Sequence, residues 1–474
     1  MLIFKQMTNI RDMKKICVAL ALIVSVSSCK KFLDEKPVSN LIEQDYYRNT
    51  DEVETGVIAC YDGLQKVYDI EFKLTEIKAD NTSGLSLEGD WGAIKFFRDS
   101  PSNFFLADFW QRSYNTIARC NLVLKYLENV TDPAKQTSFR GEVLFIRSLM
   151  YFNLVRLYGD VPLLTSSINF EEFEKFKRVS TAEVYTQIKK DLLQSIDGCP
   201  AAWPAAQVAR VTKGASQALL GKVHLTLRDY AAAKAQLQPL VGSTFDGGTY
   251  TLNPGYAAIF STGSEMSKEI LFAVRYKASA NSEGNSFSYE YSNNGDARNV
   301  KASLPYQALF EASDLRKATT FNAANGLATK FLDATAPQRD AGNDFPVIRF
   351  ADVLLMYAEA SNELAGPAAD VLLPLNKVRA RAVASTYTLA TLGTKENARS
   401  LIFKERKLEF GFENQRWYDL VRMDPATTIS ILNSYLAATG NANITVPAYR
   451  LIFPIPQTEI DLSKGNLVQN PGYN

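Results

Sequence analysis

The chain has 474 residues, and its 52 Lys and Arg stand against 51 Asp and Glu, which gives a formal net charge of +1. This balance provides no basic field for nucleic acid, so no nucleic-acid partner is expected. The single histidine, His224, allows at most one histidine ligand to a metal, and no P-loop or dinucleotide-binding fingerprint is present. We therefore expect neither a metal nor a cofactor.

The N-terminus has the three parts of a secretory signal. Lys14 and Lys15 provide a positive start, residues 16–26 form an uncharged and mostly apolar run, and Ser27-Ser28-Cys29 follows. An apolar run of this length is typical of a cleaved signal and is too short to span a bilayer. Small residues that lead directly into a cysteine resemble a bacterial lipobox, in which the thiol is acylated and the cysteine becomes the new N-terminus.

These features predict a lipoprotein signal peptide over residues 1–28, lipidation of Cys29, and a polar tether over residues 29–45. Met13, directly before the two lysines, is an alternative translation start. Several acyl chains such as palmitate would hold the mature protein durably on a membrane, because each buried methylene contributes about 0.8 kcal/mol. The alternative is an ordinary signal peptide that happens to contain a cysteine.

Three widely spaced cysteines, Cys60, Cys120 and Cys199, remain in the predicted mature chain. They make no metal motif and allow at most one disulfide, and the sequence leaves open whether one forms. We expect the stability of the protein to come from a packed core, for which the chain is long enough.

The first half of the mature chain has mainly helical patterns. Residues 51–127 are predicted as helices interrupted by a loop at about 80–101, where the DNTSG and GDWG clusters favour turns. Apolar side chains at steps of three and four predict a helix over 136–158. Another helix is predicted over 180–196, and Ser180 starts the capping box that opens it.

The segment 214–241 is similar to a tetratricopeptide repeat, a hairpin of two helices that approach closely at small residues. Helical stretches at about 346–364 and 370–383 predict a second such hairpin, and a final long helix is predicted at about 395–422. The positions that carry the repeat spacing are Leu220, Gly221, His224, Tyr230 and Ala233.

Residues 243–345 have a different composition, rich in Gly, Asn, Ser and Thr, and contain two runs in which apolar residues alternate. Alternation with period two predicts short strands within an irregular insertion. The two runs are Ile270, Phe272, Val274 and Tyr276, and Phe287, Tyr289 and Tyr291.

Four blocks of sequence resemble the SusD/RagB family of outer-membrane lipoproteins, and they follow the family's order along the mature chain. The ending is also similar to that of the family, with FPIP at 453–456 and NPGY at 470–473. The blocks are CKKFLDEKP at 29–37, FIR to LVRLYGDVPL within 145–163, RFADVLLMYAEA and NKVRARA within 349–382, and ER to RWYDLVR within 405–422.

The resemblance implies a mostly α-helical fold, with a scaffold of tetratricopeptide-like helical hairpins and an irregular, loop-rich insertion that contains short β-strands. It implies one domain over residues 46–474, whose ligand-binding part lies at about 80–101 and 243–345. Members of the family are lipid-anchored on the outer face of the outer membrane of Gram-negative bacteria. Each captures a glycan without catalysis and acts as the lid of a SusC-like TonB-dependent transporter.

A glycan site needs flat apolar platforms for sugar rings, together with polar groups for the hydroxyls. The loop at 80–98 offers such a set, and in the starch-binding founder of the family the corresponding region contributes to the site. A packed or partner-facing role is the alternative for Trp91, and a small hydrophobic core is the alternative for the two tyrosines, which share a side only if their run is a strand. The candidate ligand-binding residues are Asp80, Asn81, Trp91, Arg98, Tyr289 and Tyr291.

Two other functions remain open at this point. A cell-surface glycoside hydrolase needs only two carboxylates, and Glu405 and Glu409 lie four residues apart on one helical face, although such spacing is more typical of an ion-pair network. A tetratricopeptide scaffold without a small ligand is the third hypothesis. We expect His224, Trp110 and Trp417 to pack in the core.

Overall fold

The computed structural model describes residues 46–473 except 84–87, 168–171, 173–175, 247, 264, 279–282, 292–299 and 338. Cys29, the predicted signal peptide and the predicted tether lie outside the described residues. Residues Asn49–Asn474 form one compact unit. The α-helices described are, in chain order, α1 Thr50–Thr75, α2 Gly89–Lys95, α3 Phe104–Lys125, α4 Pro133–Tyr158, α5 Thr181–Gly198, α6 Lys213–Thr226, α7 Tyr230–Val241, α8 Phe287–Tyr291, α9 Leu304–Gln307, α10 Arg316–Thr320, α11 Phe350–Ala365, α12 Ala369–Arg381, α13 Leu389–Leu392, α14 Lys395–Glu409, α15 Arg416–Val421, α16 Pro425–Ala438 and α17 Gln457–Leu462.

The scaffold is a succession of helical hairpins. Helix α1 packs on α3, and from α3 to α7 each helix packs on the next, after which α7 packs on α11. Helix α11 in turn contacts α12 and α14. The prediction of a mostly α-helical fold built from tetratricopeptide-like hairpins is confirmed.

Local sequence signals explain where these helices begin and how closely they approach. The predicted capping box at the start of α5 is present, because the Ser180 hydroxyl accepts from the Glu183 backbone N–H and the Glu183 carboxylate accepts from the Ser180 N–H. In the α6–α7 hairpin, a Cβ on Gly221 would lie 2.8 Å from two carbon atoms of Leu237. Only a glycine permits this approach, which confirms the predicted close contact of the two helices.

The C-terminal part differs from the prediction at two places. The prediction that a helix begins near residue 346 is wrong, since Phe345–Arg349 is a buried strand and the helix begins at Phe350. The single helix predicted over 395–422 is also wrong, because α14 and α15 are separated by a turn. In that turn Phe412 and Asn414 have φ values of 67° and 60°, which a helix cannot accommodate.

The β-structure described consists of three small antiparallel two-stranded sheets. The longest pairs β4 with β6, with Ile270 opposite Arg349 and Val274 opposite Phe345. The first predicted strand of the insertion is therefore confirmed, but every one of its residues is buried. The strands are β1 Thr82–Ser83, β2 Val161–Pro162, β3 Arg178–Val179, β4 Ile270–Val274, β5 Lys301–Ala302 and β6 Phe345–Arg349, paired β1 with β5, β2 with β3 and β4 with β6.

The side chains predicted to pack in the core behave differently from one another. Trp110 and Trp417 are both fully buried, as predicted. His224 is only half-buried, and its Nδ1 atom lies 3.0 Å from an oxygen of the Asp229 carboxylate. The prediction that His224 packs in the core is therefore only partly correct, because its ring points to the turn between α6 and α7.

Candidate ligand-binding surface

Helix α2 is held against the start of α3 by two hydrogen bonds that Asp90 accepts, and this contact positions Trp91. The Asp90 carboxylate accepts from the Phe104 backbone N–H at 2.9 Å, and the Asn103 side-chain amide donates to the Asp90 carbonyl at 3.1 Å. The Asn103 side chain also caps α3 by accepting from the Phe105 N–H at 3.1 Å. The loop predicted at 80–101 therefore contains a short helix, which brings Trp91 to the N-terminus of α3.

Aromatic rings from α1, α2 and α3 meet at this point. The half-buried Trp91 ring lies 5.3 Å from the Phe105 ring and 5.9 Å from the buried Phe72 ring, measured between centroids. Phe104 lies 5.8 Å from Phe105 and is 61% exposed. The Lys73 ammonium lies between these rings, 5.6 Å from Trp91 and 5.5 Å from Phe105. A large apolar area is thus presented beside a cation.

Tyr289 joins the same region from the insertion. Helix α1 anchors the start of α8, because the Asp69 carboxylate accepts from the Ser286 backbone N–H at 2.8 Å and from its hydroxyl at 2.6 Å. The Arg339 guanidinium lies 4.6 Å from the centre of the half-buried Tyr289 ring and forms an ion pair of 2.6 Å with Glu290. The Phe72 ring of α1 lies 5.9 Å from both the Trp91 ring of α2 and the Phe287 ring of α8, so α2 and α8 pack on the same part of α1.

We call this region the aromatic surface, which consists of Trp91, Phe104, Phe105, Tyr289 and Arg339. Sequence reasoning missed three of these residues, Phe104, Phe105 and Arg339. The adjacent phenylalanines directly after a capping asparagine were an available signal, since two large apolar residues in a first helical turn are not both needed for packing. Nothing in the sequence around Arg339 indicates its position over Tyr289.

Charges of both signs lie around the aromatic surface. Burial lowers the pKa of Lys73, and the neighbouring carboxylates of Asp69 and Glu290 oppose this shift. Arg112 and Asp108 form a further ion pair of 2.7 Å on α3. Three cations and four carboxylates therefore lie around the rings: Lys73, Arg112 and Arg339, and Asp69, Asp90, Asp108 and Glu290.

Two polar candidates from the 80–98 loop are buried, which corrects their predicted exposure to a ligand. Asp80 forms a fork with the Arg416 guanidinium at 2.7 and 3.0 Å and a further ion pair with Lys407 at 2.8 Å. Although burial alone would raise it, these cations hold the pKa of Asp80 well below its usual range. Asn81 is fully buried and donates to the Glu76 carboxylate at 2.7 Å. Both residues fix the loop in place.

Arg98 and Tyr291 also lie apart from the aromatic surface. Arg98 is exposed beyond the end of α2, with its guanidinium 5.5 Å from the Phe96 ring centre. Tyr291 is fully buried and meets Phe72 edge-on at 4.9 Å. The prediction that Tyr289 and Tyr291 share one side of a strand is wrong, because the run is helical and two residues rotate by about 200° around a helix.

The carboxylates considered for hydrolysis form the centre of a buried ion cluster. Glu405 and Glu409 have no exposed side-chain surface. The Arg316 guanidinium contacts Glu405 at 2.6 Å and Glu409 at 3.0 Å, and Arg379 contacts Glu405 at 2.6 Å. Although burial would raise it, arginines including Arg381 and Arg349 hold the pKa of Glu409 well below its usual range. The interpretation of this pair as part of an ion-pair network is therefore confirmed.

The described residues contain no group of His, Cys, Asp or Glu that could hold a metal ion. Cys60, Cys120 and Cys199 are buried free thiols. In the described part of the chain, no helix has the length and apolar character needed to cross a membrane.

Two protein families match separate parts of the chain. Residues 275–473 match the family described as "SusD family", and residues 31–225 match the family described as "Starch-binding associating with outer membrane". Among curated proteins, a SusD-like protein of Formosa agariphila is 24% identical over 95% of this chain and 97% of its own length. A SusD-like protein of Bacteroides ovatus is 21% identical over 86% of this chain and 82% of its own.

Solved structures show the same fold. A "Laminarin binding SusD-like protein" superposes with a TM-score of 0.77 at 26% identity and covers 90% of this chain and 100% of its own. Surface glycan-binding protein A from Bacteroides thetaiotaomicron, solved in complex with laminarihexaose, gives a TM-score of 0.72 at 21% identity and covers 89% and 99%. Because the two family matches together cover most of the chain and the relatives extend over nearly the whole sequence, the chain belongs to the SusD family.

Proposed function

We propose that this chain is a glycan-binding lipoprotein of the cell surface, anchored in the outer membrane through Cys29. It captures an oligosaccharide or polysaccharide at the aromatic surface without catalysis. It then acts as the lid of a SusC-like TonB-dependent transporter, which imports the glycan.

The aromatic surface is the observation that carries this proposal. Trp91, Phe104 and Phe105 present apolar ring area next to the stacked pair of Tyr289 and Arg339. Ring faces of this kind bury the C–H faces of sugars, and nearby cations and carboxylates serve the hydroxyl groups. The relatives described as binding starch, laminarin or laminarihexaose support a glycan as the ligand.

The presence of both cations and carboxylates around the rings favours an uncharged glycan over a polyanion. Three cations and four carboxylates lie around the rings, so the surface has no excess positive charge to attract sulfate or uronate groups. Lys73 and Glu290 are buried, whereas the exposed Arg339 guanidinium can donate hydrogen bonds to hydroxyls. We therefore expect neutral glucans, such as laminarin or starch, to bind more tightly than pectin or a sulfated polysaccharide.

The hydrolase alternative receives no support from the carboxylate pair that suggested it. Glu405 and Glu409 are saturated by arginines and have no solvent contact. The two solved relatives named above are described as a laminarin binding protein and as a surface glycan-binding protein.

Replacement of Trp91 by alanine tests the binding site. We expect Trp91→Ala to weaken binding by tenfold or more, about 1.4 kcal/mol or more, because a ring platform is lost. The measurement is affinity gel electrophoresis in laminarin and starch, followed by calorimetric titration with a soluble oligosaccharide. The melting temperature should stay within about 2 °C of the wild type, since the ring is only half-buried.

Trp203→Ala is the matched control for this test. Trp203 is also half-buried, and it lies in the connection between α5 and α6, where its indole N–H donates to the Val211 carbonyl at 2.7 Å. We expect this variant to bind glycan as the wild type does. Unchanged binding by Trp91→Ala, or a large fall in its melting temperature, would contradict the assignment of Trp91 to the ligand surface.

The lid role needs a separate experiment. Sequencing of the neighbouring genes is expected to identify a SusC-like transporter, which would be co-expressed with this chain and purified from outer membranes through a tag on the transporter. We expect the two proteins to copurify and Cys29→Ala to lose its membrane association. A transporter that is recovered alone in every detergent would contradict the partnership while leaving glycan binding untouched.

A further inference from the structure

A long groove runs along one face of α14, away from the aromatic surface. Its volume is about 880 Å³, within the range of specific ligand sites. The residues that α14 contributes recur every three or four positions from Glu396 to Lys407, which corresponds to roughly 17 Å of exposed helix. We call this feature the α14 groove, and its other walls come from the α6–α7 turn, α11 and the start of α16.

The carboxylates inside the α14 groove are already satisfied. The Arg399 guanidinium forms a fork with Glu363 at 2.6 and 2.7 Å. The Arg422 guanidinium likewise binds both oxygens of Glu359, one of them at 2.8 Å. These acceptors therefore have little capacity left for a ligand.

The unused hydrogen-bonding groups of the groove are mainly donors. Among the described residues, the half-buried Lys404 ammonium makes no hydrogen bond or ion pair, and the Tyr230 hydroxyl makes no hydrogen bond. The Arg228 guanidinium makes a single contact, to the Arg422 carbonyl at 3.3 Å. Six basic side chains line the groove against four acidic ones, and the two acidic residues outside the arginine forks, Glu396 and Asp424, are exposed at the rim.

The groove contains two aromatic rings, Phe403 and Tyr230, and its other apolar groups are aliphatic. The Arg422 guanidinium lies 4.6 Å from the centre of the Phe403 ring and covers that ring. The remaining apolar groups are aliphatic and are spread along the groove: Leu225, Leu309, Met423 and Ile431. Aliphatic side chains spread along a groove beside free donors suit the alternating side chains of a peptide.

We propose that the α14 groove is a peptide-binding site, and that its occupant is an extended segment of a partner protein in which a carboxylate is flanked by apolar side chains. The carboxylate binds Lys404 and Arg228, and the apolar side chains contact the aliphatic side chains of the groove. Concave surfaces of helical-hairpin repeats bind extended partners in this manner. The site is independent of glycan binding and would stand if the aromatic surface had another ligand.

Selection from a displayed library of random dodecapeptides on the full-length protein tests this proposal. We expect the enriched peptides to share an acidic residue next to apolar residues. A synthetic version of the best peptide, labelled with a fluorophore, is then titrated by anisotropy. We expect Lys404→Glu to weaken its binding at least tenfold, and replacement of the acidic residue of the peptide by its amide to have a similar effect.

Two variants control for indirect effects. Lys190→Glu makes the same charge change at an exposed lysine of α5 and should leave peptide binding unchanged. Trp91→Ala should also leave it unchanged, which separates this site from the aromatic surface. The proposal is overturned if no consensus enriches, if the peptide binds Lys404→Glu as tightly as the wild type, or if laminarin competes for the groove.

Discussion

Replacement of Arg349 by methionine tests whether the buried ion cluster holds the fold together. The Arg349 guanidinium contacts Glu269 at 2.6 Å, Glu409 at 2.9 Å and Glu413 at 2.7 and 2.9 Å, and its side chain is 1% exposed. Methionine fills a similar volume without charge, so three carboxylates around it lose a shared cation. Removal of one partner from a buried ion pair costs about 3–5 kcal/mol.

The carboxylates around Arg349 each keep another cation, which limits the loss. Glu413 keeps Lys330 at 2.9 Å, Glu409 keeps Arg316 at 3.0 Å, and Glu269 keeps Arg381 at 3.1 Å. We therefore expect a single-pair cost of about 3–5 kcal/mol rather than three times that amount. The assay is urea unfolding followed by tryptophan fluorescence, read as the change in midpoint at constant slope.

Arg112→Met is the matched control. Arg112 pairs with Asp108 at a similar distance of 2.7 Å, but its side chain is 38% exposed. Exposed pairs contribute at most about 1 kcal/mol, so we expect a correspondingly small change. If Arg349→Met costs no more than Arg112→Met, the cluster does not stabilise the fold in the way inferred here.

Two further predictions concern buried positions near the two sites. Burial raises the pKa of Glu76 to about 7, above its ordinary value of 4.5, so the folded protein binds this proton more tightly than the unfolded chain does. That contribution to stability is complete below about pH 4.5 and is lost as the pH rises through about 7, so Glu76→Gln should flatten the fall in urea midpoint between about pH 5 and pH 8. A steeper fall in the variant would contradict this assignment. A Cβ on Gly411 would lie 2.0 Å from the Tyr306 hydroxyl oxygen, so Gly411→Ala should lower the free energy of unfolding by about 1–3 kcal/mol, measured by urea unfolding. Gly263→Ala, where a Cβ would meet no atom within 4 Å, should change it by less than about 0.5 kcal/mol, and equal effects of the two changes would refute the steric argument.

The helical scaffold could be predicted because its signals are local. The capping box at Ser180, the small residue at Gly221 and the three- and four-residue periodicity of α4 lie within single elements. The break between α14 and α15 could not be predicted, because its cause is distant. Glu413 turns inward to reach Lys330 and Arg349, and these contacts cross more than 60 residues of sequence.

The same distinction between local signals and distant contacts explains which environments of the candidate ligand residues could be predicted. The partial exposure of Trp91 could be predicted, since a tryptophan in a glycine-flanked loop suggests a partly exposed ring. The burial of Asp80 could not be predicted, because its partner Arg416 is 336 residues away. The strand predicted for the run that contains Tyr291 is wrong, because five residues with alternating aromatics fit a strand and a short helix equally well.

Asp80 has a consequence for how the two proposed sites would respond to each other. Its loop leads through β1 towards the helix that carries Trp91, whereas its partners Lys407 and Arg416 line the α14 groove. A ligand that draws either cation away from Asp80 changes the free energy of that loop. Because the proposed peptide binds Lys404 and Arg228 instead, both ion pairs of Asp80 stay in place. The coupling free energy between the two sites is then close to zero, and neither ligand changes the affinity for the other.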